Sequence, residues 1–191
     1  LARMALATAA GQQMDVQNLP GEENYWRIVA AKSTPFYGAA LELGALLGSA
    51  DPQVVSQLYR LGVMIGEMIQ LEDDLTDALQ TPANPDWGQG RNNLLILYAL
   101  TADYPERSEF VTLLPHVDDP RCLARAQVIL VSCGAVSYGV YHLIQRYQAA
   151  RRLLEETRLT NPEPLSEMLT RYGESLASYL KVSGSNVEPE L

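Results

Sequence analysis

The chain predicts an all-α fold, and three observations predict it. Apolar residues recur at helical spacing through most of its length. No segment alternates apolar and polar residues as a half-buried strand would; the β-branched runs Val54-Val55 and Val128-Ile129-Leu130-Val131 sit inside helical periods. Turn-forming clusters, Asn18-Leu19-Pro20-Gly21 and the Pro- and Gly-rich stretch from Thr81 to Gly90, fall between the periodic segments. The expected architecture is one layer of helices packed around another.

The helices follow in order. Residues 1–18 read as the first; it opens at Leu1 with no capping residue, so the chain reads as the continuation of something longer. Glu22 to Leu47 reads as one helix with acids in its first turn and a kink at Pro35, either facing a site or adjusting packing. Asp51-Pro52 is an N-cap acid followed by proline at the first helical position, and the helix it starts is expected to run to about Thr81. Further helices are expected over Arg91–Asp103, Pro105–Leu114, Pro120–Ser132, Ala135–Arg158 and Leu165–Lys181. One domain over residues 1–181 and a flexible tail over 182–191 account for the 191 residues.

Composition narrows the function. Hydrophobic residues make up 47% and charged residues 19%, the balance of a globular domain. A net charge of −9 argues against a nucleic-acid surface. Cys122 and Cys133 lack metal-ligand spacing and are expected as small buried apolar residues in a reducing, cytoplasmic compartment. His116 and His142 are expected to be structural. No apolar run reaches the roughly 18 residues of a transmembrane helix. Ala39, Ala40, Leu43 and Leu47 form an apolar face suited to a helix interface or an internal core.

Chemistry concentrates late in the long helix. Gln70, Asp73, Asp74 and Asp77 fall at i, i+3, i+4 and i+7, one helical face. Like charges at such spacing repel, and acids late in a helix oppose its dipole. A solvated helix end tolerates this, as does a cation; carboxylates with room for water suit Mg²⁺ shared with phosphates. The spacing alone leaves both open.

Four blocks then combine. Gly11-Gln12 with Asp15, Tyr25-Trp26-Arg27-Ile28 followed by Lys32-Ser33, Gln70-Leu71-Glu72-Asp73-Asp74-Leu75-Thr76-Asp77, and Gly90-Arg91-Asn92-Asn93-Leu94-Leu95 stand in one order. In that order and at those separations they resemble the C-terminal half of the trans-isoprenyl diphosphate synthases, including their second aspartate-rich motif. The resemblance implies an isoprenoid-synthase-type helical bundle, C-terminal portion, with a central apolar cavity. It also implies a Mg²⁺-dependent prenyltransferase that condenses an allylic prenyl diphosphate with isopentenyl diphosphate. Asp73, Asp74 and Asp77 would then be the metal ligands; Lys32, Ser33, Gln70 and Arg91 would bind the diphosphate. Lys32, Asp73 and Asp74 would carry catalysis, and Gln12 and Asp15 would support the site. A homodimer is implied.

The sequence departs from the family pattern at named positions. Ser33 stands where the family has Thr, Arg91 where it has Lys, Asn93 where it has Thr and Leu95 where it has Pro. The first aspartate-rich motif is not in these 191 residues. Part of a longer enzyme, a non-catalytic subunit of a prenyl synthase, and a class I terpene synthase-like ionisation of a diphosphate are the alternatives.

Overall fold

In the computed structural model, which describes residues 1–85, 87 and 93–182, the chain is all-helical. The longest element, α4 (Pro52–Leu79), organises the others. Its start follows from local chemistry: the Asp51 carboxylate accepts from the Gln53 N–H at 2.8 Å, and Pro52 occupies the first turn, where no N–H is needed. Its 28 residues span roughly 42 Å at about 1.5 Å per residue. Leu61, Ile65, Met68, Leu71 and Leu75 make its inward stripe, each 3% exposed or less.

Before α4 come α1 (Ala2–Gln17), α2 (Glu22–Lys32) and α3 (Thr34–Leu47). After it come α5 (Leu94–Thr101), α6 (Arg107–Leu113) with a 3₁₀ turn at Leu114–His116, α7 (Pro120–Ser132), α8 (Ala135–Thr157) and α9 (Glu163–Val182). α4 packs against α3 on one side and α8 on the other, and α9 lies along α8. The core joins the α4 stripe to Leu94 and Leu95 of α5, Ile129 and Leu130 of α7, and Val140 and Leu143 of α8. Among the described residues, no single helix is long and apolar enough to cross a membrane.

Four expectations are corrected here. The Glu22–Leu47 segment is two helices, not one kinked helix, with the break at Ser33. Pro35 has no N–H to offer the carbonyl one turn back and its ring crowds that carbonyl, so it starts a new helix instead of bending the old one. The helix expected from Arg91 starts at Leu94, capped by Asn93, whose side chain accepts from the Leu95 and Ile96 N–H groups. Cys122 and Cys133 are free thiols but only half-buried, at the two ends of α7, with Cys133 packed against the edge of the core. Ala39 does not belong to the exposed face of α3: it is 9% exposed, whereas Ala40, Leu43 (39%) and Leu47 (79%) face outward beside Phe36 (55%). The tail expected over 182–191 lies outside the described residues from 183 onward.

The α3–α4 contact requires small residues. A Cβ on Gly62 would collide with the Tyr37 carbonyl, and one on Gly66 would stand 2.8 Å from the Thr34 Cα. Backbone cannot yield there as a flexible side chain can. Gly44 of α3 is the contrast, with open space around its missing Cβ. In urea denaturation, Gly62→Ala is expected to lose about 2 kcal/mol or more by overpacking, while Gly44→Ala gains about 0.5–1 kcal/mol from helix propensity.

Candidate active site

Close approach of α3 to α4 brings the end of α2 beside the acidic turns of α4. From there a relay of side chains runs inward. The Ser33 hydroxyl donates to Gln70 Oε1 at 3.0 Å, and Gln70 Nε2 donates to Asp74 Oδ1 at 3.0 Å. The other Asp74 oxygen accepts from the Leu94 N–H at 2.8 Å, at the first turn of α5. Asn93 closes the loop by donating from Nδ2 to the Asp74 backbone carbonyl at 2.8 Å. Tyr25, 1% exposed, turns its hydroxyl toward the same carboxylate without closing a hydrogen bond of good geometry.

The three aspartates therefore do not converge. Asp74 is 4% exposed, and burial pushes its carboxyl from the ordinary 3.8 up to about 7, against the pull of the Leu94 N–H, Tyr25 and Gln70. Asp73 is exposed. Its carboxyl is raised by partial burial and then by Asp77, while Lys32 pulls it down. Asp77 is half-buried; its carboxylate accepts from Gln80 Nε2 at 3.4 Å, and its backbone carbonyl accepts from the Trp87 indole at 3.3 Å. Among the described residues, no group of three or more His, Cys, Asp or Glu side chains is disposed to hold a metal ion by itself.

Lys32 is held by Asp15: its ammonium lies 2.7 Å from Asp15 Oδ2. Gly11 makes that approach possible, since any Cβ there would strike the Lys32 backbone. Gln12, exposed on α1, has no hydrogen bond to the acidic residues. Arg91 lies outside the described residues. Tyr25 and Asn93 stand inside the quoted blocks, but the sequence assigned neither a part in the site, although Asn93 directly before an apolar helix is a capping signal.

The two histidines differ in setting. His142 packs against Trp26, Tyr138 and Tyr141, and its Nδ1 lies 2.9 Å from Arg146, which in turn pairs with Glu67 at 3.1 Å and covers the Trp26 ring. This aromatic and charged cluster ties α2, α4 and α8 together, and it adjoins Tyr25, whose ring packs edge-on against Trp26 at 4.9 Å.

A family model described as polyprenyl synthetase matches residues 1–129, and the match contains every block from Gly11 to Leu95. The chain belongs to the polyprenyl synthetase family. Curated relatives include a short chain isoprenyl diphosphate synthase of Methanothermobacter thermautotrophicus, 28% identical over 70% of this chain and 43% of that protein. A geranylgeranyl pyrophosphate synthase of Geoglobus acetivorans is 28% identical over 81% of this chain and 50% of that protein. The chain thus spans about half the length of the curated relatives it matches. Among solved structures, a geranylgeranyl pyrophosphate synthase of Corynebacterium glutamicum superposes with a TM-score of 0.79 at 23% identity, over 92% of this chain and 58% of that one. That likeness establishes the isoprenoid-synthase helical fold, as the motif order implied.

Within this polyprenyl synthetase frame, Asp74 gives a pH signature. Its carboxyl is protonated more readily folded than unfolded, so its contribution is full below about pH 4 and is lost as pH rises through about 7. An Asn at this position stays neutral and keeps the relay, because the Gln70 amide can turn and Ser33 can accept instead of donate. In EDTA, Asp74→Asn is expected to gain stability relative to the unaltered chain between pH 5 and pH 8, by an amount on the order of a few kcal/mol. Thermal melts across that range measure it; parallel pH profiles would contradict the burial argument.

Proposed function

We propose that the chain supplies the aspartate-bearing wall of a Mg²⁺-dependent prenyltransferase of isoprenoid synthesis, one that joins an allylic prenyl diphosphate to isopentenyl diphosphate. The observation that supports it is the placement of Asp73. Its carboxylate is exposed one residue before a locked, buried Asp74, one turn from Asp77, and within electrostatic reach of Lys32.

The donor set fits a hard divalent cation. Asp73 and Asp77 are oxygen donors at i and i+4, and the Asp77 charge raises the Asp73 carboxyl. In this proposal those two hold Mg²⁺, and Asp74 holds the helix turn that presents them. Bound Mg²⁺ would supply charge neutralisation for the departing diphosphate. Lys32, aimed by Asp15, binds diphosphate oxygens as a positive point charge. Ser33 and Gln70 keep the α2 end in register with α4, so the cation and the carboxylates stay a fixed distance apart. The apolar faces of α1 and α3 exclude water from an allylic cation. The chain spans about half of the relatives' length, and this proposal assigns the facing wall, with the first aspartate-rich motif, to the other part. Arg91 and homodimer formation are part of the same proposal.

Thermal melting with Mg²⁺ and farnesyl diphosphate tests it. The chain is expected to melt at a higher temperature, by an amount corresponding to about 2.7 kcal/mol at roughly 100 times Kd. Asp73→Ala with Asp77→Ala is expected to abolish the shift and Lys32→Ala to reduce it. A shift of equal size in the double variant would refute the metal assignment.

A further inference from the structure

α9 lies wholly beyond the residues that the family model matches, yet it borders the acidic turns of α4. One face of α9 turns toward them. Met168, Arg171, Tyr172, Ser175 and Tyr179 recur at helical spacing, and the Tyr179 hydroxyl meets the Thr76 hydroxyl across the interface at 3.1 Å. Between the helices lies a groove of about 350 Å³, lined by Glu72 from α4 and by Met168, Arg171, Tyr172 and Ser175. It ends beside the aspartates: Tyr172 is within electrostatic reach of Asp73, Glu72 and Tyr37.

The chemistry of the groove suits an oxyanion. Arg171 is exposed and makes no ion pair among the described residues. Its planar guanidinium offers paired donors that match phosphate geometry. Tyr172 is half-buried, lines the same groove and supplies a hydroxyl donor within electrostatic reach of Asp73. Glu72 is the lining carboxylate, and one of its oxygens is turned inward, where water does not reach it. Arg171 is the cationic side chain of the lining.

We propose that the α4–α9 groove is an anion subsite that extends the acidic site, in which Arg171 and the Tyr172 hydroxyl bind a diphosphate shared with the carboxylate face of Asp73. The assignment rests on the prenyltransferase function proposed above. It adds a third helix, α9, to the diphosphate contacts of α2 and α4.

Calorimetric titration of the 191-residue chain with inorganic pyrophosphate and Mg²⁺ tests it. Tyr172→Phe keeps the ring and its packing, and Arg171→Gln removes an exposed charge; each is expected to weaken binding about tenfold, as loss of a hydrogen bond to a charged group does, with an unchanged melting temperature. Arg171→Lys should recover part of the loss. Arg121→Gln, on α7, should bind as the unaltered chain does. If both α9 variants bind normally while Asp73→Asn does not bind, this inference is overturned and the proposed function stands. If Arg121→Gln loses as much as Arg171→Gln, the effect is general charge and the subsite is overturned. If the unaltered chain does not bind, the proposed function and the subsite fall together.

Discussion

The site depends on the burial of one carboxylate. Asp74 is an acid inside a helix-packed core, and burying a charge without partners costs several kcal/mol. The chain meets that demand in two ways. It supplies two donors, the Leu94 N–H and the Gln70 amide, with the Tyr25 hydroxyl facing the same carboxylate, and burial lifts the carboxyl to about 7, so that near pH 7 only about half of it is charged. Each donor comes from a different part of the chain. The same carboxylate therefore fastens the end of α2, the acidic turns of α4 and the start of α5 to one point.

That fastening explains why adjacent aspartates have opposite fates. On a helix, successive residues project about 100° apart, so Asp73 and Leu75 flank Asp74 on opposite sides. The Leu75 side meets the core and the Asp73 side meets solvent. The relay through Gln70 to Ser33 then carries the position of this turn to the α2 end, where the Lys32–Asp15 pair sets the direction of the nearby cation. Gly62 and Gly66 make the relay short enough to work, since any side chain there would push α3 away from α4. Packing and chemistry are thus one constraint in this region: the helices must be close for the polar contacts to form, and the polar contacts fix the register in which they close.

Much of this was legible in the residues. Helical periodicity and caps located the helices to within a few residues, because Asp51-Pro52 and Asp119-Pro120 act locally, through their own side chains and the next turn. The order of the four blocks identified the polyprenyl synthetase family, as the match over residues 1–129 bears out. Less legible were the break at Ser33 and the separate fates of the three aspartates. A proline inside a helical pattern can bend or end a helix, and the choice depends on whether the next helix finds a partner; here α3 finds α4. The sequence likewise contains no sign that Met168, Arg171, Tyr172 and Ser175 face Glu72, because nearly a hundred residues separate them and only the stacking of α9 on α8 brings them together.

By itself, then, the sequence determined the helical class, the element order, the family, and the placing of Gln70, Asp73, Asp74 and Asp77 along one helix, all properties of neighbouring residues or of motif order. Tertiary structure alone decided which of the acids is a buried anchor and which is presented to solvent. Spacing along a helix sets the angle between two side chains, but the helices packed around it set which angle is the inside.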